Sequence, residues 1–153
     1  MMTKMIVRNV RSYQEIVGIV TNSVNNYTDP FFPADLKKSI AWTYNHFNTG
    51  GFLKVIEKNG EVIAYGAATL MLPTVYSKVQ SLTQVVYHTK TKGRDAVMAL
   101  RLFHQAMVDH AKAKGIRVCT TSSLLDNYEV FYRVLARDGW MPRGCTLVMP
   151  IDH

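Results

Sequence analysis

Val85-Val86-Tyr87-His88-Thr89-Lys90-Thr91-Lys92-Gly93-Arg94-Asp95-Ala96-Val97 passes from a β-forming run, through a basic turn containing glycine, into a helix. Upstream, about Val79 to Tyr87 reads as a strand. Downstream, Asp95 to Lys114 reads as a helix. Its apolar stripe is Ala96, Leu100, Phe103, Met107 and Ala111, and Arg101, Gln105, Asp109 and Lys112 line the wet side. Gly115 ends it. Ile116-Arg117-Val118-Cys119-Thr120-Thr121 is a short β run, so strand, helix and strand follow one another. That succession implies a crossover onto a partly parallel sheet. In such sheets ligands favour the strand ends near the next helix N-terminus, which places interest on the quoted segment.

Toward the N-terminus the pattern is antiparallel. Phe52-Leu53-Lys54-Val55-Ile56 and Val62-Ile63-Ala64-Tyr65-Gly66-Ala67-Ala68 flank Lys58-Asn59-Gly60-Glu61, and Asn-Gly supplies the positive φ angles of a tight type I′ turn. Before the hairpin, Met5 to Val10 is a short strand and Ile16, Val17, Ile19, Val20 and Val24 recur at helical spacing. Asn25 to Pro33 is a loop broken by Pro30 and Pro33, and Ala34 to Phe47 is a helix closing at Asn48-Thr49-Gly50-Gly51. Toward the C-terminus, Asp126 to Arg137 is helical and Trp140 to Pro150 returns as a strand. The order is β-α-α-β-β-β-α-β-α-β, an α/β fold with a mixed sheet.

No repeat, low-complexity run or linker divides the chain, so 1–153 reads as one domain. With 48% hydrophobic and 19% charged residues it is globular and ordered. It has no apolar run of about 18 residues to span a membrane and no secretion signal. Cys119 and Cys145 are too few for a disulfide framework and read as buried free thiols, which makes the cytoplasm the expected compartment. The net charge of +7 attracts polyanions, whether nucleic acid, an acidic protein or a phosphorylated cofactor. Lys78, Lys90, Lys92, Arg94, Arg101, Lys112, Lys114 and Arg117 concentrate it in one segment whose acids are Asp95 and Asp109. His46, His104 and His110 show no metal-ligand spacing, so no metal is expected, and His104 beside Phe103 reads as structural.

The order of elements and several motifs resemble the GNAT (N-acetyltransferase) superfamily over nearly the whole chain. Val85 to Val97 is similar to the family's V-x-V-H-P strand end followed by R-G-x-G-x-G, and Asn127, Phe131-Tyr132 and Gly139-Trp140 resemble its C-terminal landmarks. The resemblance implies that acetyl-CoA is the acyl donor, its pantetheine arm bonding the backbone of Val85, Val86 and Tyr87. The loop amides at the following helix N-terminus would hold the pyrophosphate. Lys90, Lys92 and Arg94 add positive charge there, Gly93 lets the backbone approach, and Asn127 either fixes the cofactor arm or begins the last helix. The sequence departs from the family at Asp95 and Val97, which stand where glycine, or alanine at the second, is usual. Asp95 reads as a helix cap, which does not exclude a cofactor site there.

By the same resemblance Tyr132 matches the tyrosine that protonates the CoA thiolate. Gly139-Trp140 comes later than the family spacing, however, and a register set from Gly139 puts Leu135 in its place. His88, ending the strand, is a proton-relay candidate because its intrinsic pKa lies near neutrality. Gln80, Ser81, Thr83 and Gln84 occupy the strand where family members often carry a glutamate, while Glu57 and Glu61 reach the site only if the hairpin folds over it. The Tyr27 to Phe32 loop lies where the family builds its acceptor pocket, its aromatics being either pocket walls or plugs over the core. The leading expectation is acyl transfer to a small or macromolecular amine. Nucleic-acid binding or base modification is the alternative motivated by the basic segment, and a non-catalytic scaffold is the one motivated by the degenerate loop.

Overall fold

The structure is a computed structural model that describes residues 4–123, 128–144 and 147–151. Strand β1 (Met5–Asn9) leads into α1 (Tyr13–Asn25), whose N-cap Ser12 accepts from the Glu15 amide at 3.2 Å. Helix α2 (Leu36–Asn48) starts at Asp35, whose carboxylate accepts from the Lys38 amide at 2.9 Å. The hairpin β2 (Phe52–Lys58) and β3 (Glu61–Met71) turns through Asn59 and Gly60 at φ 53 and 80, the type I′ geometry expected from Asn-Gly. Then follow β4 (Ser81–Thr89), α3 (Gly93–Ala113), β5 (Val118–Thr120) and α4 (Tyr128–Ala136).

The five strands lie in sequence order, antiparallel through β4, with β5 parallel to β4 across the α3 crossover. Alternation along β2 and β3 divides the core between the two faces of the sheet. Phe52, Ile56, Ala64 and Ala68 pack with Phe103 and Met107 of α3, whereas Leu53, Val55, Tyr65 and Ala67 pack with Ile16 and Val20 of α1. Leu100, Phe103, Met107 and Ala111 of the α3 stripe read from sequence are buried, joined by Ala99 and His104, while Ala96 is half-buried. No helix among the described residues is long and apolar enough to cross a membrane.

The strand expected over Trp140 to Pro150 is not found, since 140–144 and 147–150 carry no regular structure. Gly144 stands at φ +76, Pro142 lacks an amide donor, and Leu147 and Met149 are exposed, so alternation alone did not secure a pairing partner. Cys119 is a free, partly buried thiol whose pKa burial pushes up, and Cys145 lies outside the described residues.

Candidate active site

The register of β3 against β4 breaks at one residue. Ala67 pairs with Val86 and Ala68 with Gln84, which leaves Val85 as the extra residue of a β-bulge. The other edge of β4 is covered by β5 only from Ser81 to Thr83, so from Gln84 onward the strand runs clear of its parallel neighbour. A bulged, one-sided strand has main-chain groups without ladder partners, and those groups need another partner.

That opening joins two features. On the α1–α2 side, Val85 and Val86 line a cavity of about 470 Å³ whose walls include Tyr27, Phe32, Trp42 and Asp35. The loop residues Tyr27 and Phe32 are 42% and 49% exposed and wall the cavity, whereas Phe31 is exposed and does not line it. At the far end of β4 the chain turns through Thr89, Lys90 and Thr91 into α3. The N-cap of α3 is Lys92, with no side-chain cap, and Gly93 follows at φ +64. The amides of the first turn of α3 are therefore left for an external acceptor. Among the described residues no ion pair engages Lys92 or Arg94.

Asp95 is not the cap that its residue type suggests. It lies inside the first turn, and its carboxylate meets the Lys58 ammonium at 2.5 Å. Lys58 ends β2, so the hairpin delivers a cation that neutralises the one acid at this helix start. Lys90, by contrast, is shared, donating to Glu61 at 2.6 Å. Neither hairpin glutamate is free to act as a base. Glu61 is held by Lys90, and Glu57 accepts from Arg8 at 2.7 Å in a half-buried network that also ties Arg8 to Glu15.

Two buried polar atoms on neighbouring residues of β4, the Tyr87 hydroxyl and His88 Nε2, have no partner among the described residues. Tyr87 packs beneath α3 with its ring 5.2 Å from Phe103, and desolvation pushes its pKa well above the ordinary value. His88 borders a second cavity, of about 390 Å³, with Glu15, Asn22 and Glu61; burial lowers its pKa, so its imidazole is neutral at pH 7. Orphaned buried groups are uncommon in folded proteins, and here both sit on the strand with the bulge.

Where β4 and β5 part, Thr121 Oγ1 lies 2.8 Å from His104 Nε2 and 3.1 Å from Gln84 Oε1. His104 Nδ1 is 2.8 Å from the Leu100 carbonyl, which can only accept, so that nitrogen carries the proton. Burial holds the His104 pKa at about 4. This fully buried histidine pins the fork between the strands, in agreement with its structural reading.

The structure thus brings Val85, Val86, Tyr87 and His88 together with Lys90, Lys92, Gly93 and Arg94. It does not add Tyr132 to that group. Tyr132 is 42% exposed on α4, packs edge-on against Tyr128 and Phe131, and is not among the residues that line the cavity. Asn127 lies outside the described residues. Sequence reasoning missed Lys58, because its partner is 37 positions away, and it missed the α2 wall. The spacing of Asp35, Ser39 and Thr43 on one helix face was the available signal for the latter.

No protein-family model matches the sequence, and no curated protein is significantly similar to it. Solved structures are similar in fold. A predicted acetyltransferase from Clostridium acetobutylicum, solved with acetyl-CoA, is 15% identical with a TM-score of 0.67 and covers 97% of this chain and 96% of its own. A ribosomal-protein-alanine N-acetyltransferase from Brucella melitensis is 17% identical, with a TM-score of 0.66 over 91% of this chain and 86% of its own. Glucosamine-6-phosphate N-acetyltransferase from Arabidopsis thaliana is 13% identical, with a TM-score of 0.63 over 97% and 99%. With its bulged fourth strand, the β4–β5 fork and the α3 crossover, the chain has the fold of the GNAT N-acetyltransferases.

Proposed function

We propose that this chain is an acyl-CoA-dependent N-acyltransferase, one domain over residues 1–153, that moves an acetyl group from acetyl-CoA to an amine by direct transfer. The observation that carries the reading is the bulge at Val85, which opens between an aromatic-walled cavity and an uncapped, cationic helix start.

The residues fit the cofactor. The bulged residue Val85 and the strand edge that β5 leaves uncovered from Gln84 onward suit the amides of a pantetheine arm. Lys92, Gly93 and Arg94 suit a pyrophosphate, and Lys58 cancels the charge of Asp95 so that the helix start stays attractive to anions. When bound, acetyl-CoA supplies an activated thioester. The chain's own part is to orient both reactants, to offer main-chain donors where negative charge develops, and to move protons. His88, whose buried Nε2 has no partner among the described residues and whose pKa burial lowers, is the proposed proton relay. Tyr132 Oη is the proposed donor to the departing sulfur; placing it there requires α4 to present it to the cleft.

Acetyl-CoA that binds only the native state must stabilise it. At a hundredfold excess over Kd the gain is about 2.7 kcal/mol, a rise of several degrees in Tm for a chain of this size. An unchanged Tm in millimolar acetyl-CoA contradicts the proposal. The nucleic-acid reading has less support, because Lys90 and Arg101 of the basic segment are already paired with Glu61 and Asp138.

A further inference from the structure

The structural neighbours named above act, by their names, on acceptors as different as a sugar phosphate and a protein alanine, so the acceptor has to be read from this chain's own cavity. One wall of the 470 Å³ cavity is a single face of α2, with Asp35, Ser39 and Thr43 spaced one turn apart. The hydroxyls on this face are already committed as donors. Ser39 Oγ donates to the Asp35 carbonyl at 2.7 Å and Thr43 Oγ1 to the Ser39 carbonyl at 2.8 Å. Each hydroxyl has one proton, so toward a ligand both can only accept. The Asp35 carboxylate likewise only accepts, with one oxygen held by the Lys38 amide and the other without a partner among the described residues. The α2 wall is thus a row of acceptors waiting for N–H donors.

The facing surfaces are aromatic. Tyr27 and Phe32 come from the loop, and Trp42 comes from α2 itself. The Trp42 ring is fixed by stacking on His46 at 4.8 Å and 14°, and His46 Nε2 in turn donates to the Phe52 carbonyl at 3.0 Å. A preset indole beside a row of acceptors favours a cation attached to an apolar body, through its ring face and through desolvation. Lys38 borders the same cavity and no acid pairs with it among the described residues, so a second positive charge on the ligand meets repulsion.

We infer that the acceptor is a primary monoamine on an apolar, preferably aromatic, body, held by Asp35, Ser39 and Thr43 against Tyr27, Phe32 and Trp42. The inference rests on the acyltransferase reading for what happens to the amine, but not for its binding.

Calorimetric titration of the intact protein tests it, with phenethylamine as the probe, 2-phenylethanol as its uncharged counterpart and spermidine as a polycation. CoA is titrated separately. Phenethylamine should bind about tenfold or more tightly than 2-phenylethanol, the range expected for hydrogen bonds to a charged group. Spermidine should bind more weakly than phenethylamine. Asp35→Asn keeps an N-cap while removing the charge, so it should erase most of the preference for the amine and leave 2-phenylethanol unchanged. Thr43→Val, similar in shape, should weaken only the amine. Equal binding of amine and alcohol overturns the inference, as does spermidine binding best, or no amine binding to protein that binds CoA. Amine binding with the stated selectivity but no CoA binding leaves this inference standing and removes the transferase reading instead.

Discussion

The Lys58 ammonium lies 2.5 Å from the Asp95 carboxylate, joining the end of the hairpin to the first turn of α3. This contact changes what the departure from the glycine-rich family pattern means. An isolated carboxylate at this helix start repels phosphate, whereas one already neutralised by a lysine leaves Lys92 and Arg94 as the net local charge. Lys58→Met should therefore weaken CoA binding about three- to tenfold, because the acid is then exposed, and Asp95→Asn should strengthen it. Stability should change by no more than about 1 kcal/mol in either case, as for other partly exposed pairs. Titration of CoA against the two variants checks the opposite signs; a loss in both excludes the account.

Lys92 and Arg94 carry the electrostatic part of the proposed cofactor site. The double substitution to alanine should lower CoA affinity about tenfold and flatten its dependence on salt. Pantetheine, which lacks the phosphates, should bind both proteins alike. Weaker pantetheine binding by the variant shows that the strand, and not the anion site, was damaged.

Gly66 sits opposite Tyr87 in the ladder, one residue from the bulged segment. A Cβ there would lie 2.5 Å from the Phe103 ring and 2.9 Å from the Val86 carbonyl oxygen. Gly66→Ala should cost about 1–3 kcal/mol by overpacking and also disturb the pairing of Val86. Chemical denaturation should show the loss, and a variant as stable as the parent contradicts this packing.

His104 makes stability depend on pH. Its pKa of about 4 in the fold lies below the 6.5 of a free histidine, so the unfolded chain takes up its proton first. Stability is then level above pH 6.5 and falls as the pH drops toward 4, by roughly 3 kcal/mol from this residue. Among the described residues, the uncharged rings of Tyr87, Phe131 and Trp140 pack against the His104 imidazole. His88 and His110, also lowered by burial, act in the same direction. Denaturation curves from pH 7 to 4 should be shallower in His104→Gln than in the parent. Parallel curves assign the acid sensitivity to the other histidines.

His88→Gln should lower kcat by 10²-fold or more if His88 relays the proton, with CoA affinity unchanged. Tyr132→Phe should do the same if α4 presents the hydroxyl. An unaltered kcat in either variant removes that residue from the mechanism.

Much of the fold was legible because its signals are local. Asn59-Gly60 names its own turn, Asn48-Thr49-Gly50-Gly51 closes its helix, and the α3 stripe is set by spacing. The expected last strand failed because alternation at 140–150 states which face would be buried but supplies no neighbouring strand. In the site, the consecutive residues from Val85 to Arg94 were readable as a motif. The Lys58–Asp95 pair, the Gln84–Thr121–His104 contacts and the α2 acceptor row were not, because each depends on elements far apart in sequence or on a hydroxyl's choice of partner. The bulge at Val85 belongs to the same group, since only the partner strand reveals an extra residue.

Amide hydrogen exchange with and without acetyl-CoA tests the central claim most directly. Slowed exchange should appear in two places, at Val85 and Val86 on the open strand and at Gly93 to Asp95 on the helix start. Exchange unchanged at both, while the cofactor is in millimolar excess, means that no thioester is held there and that the shared fold serves another purpose.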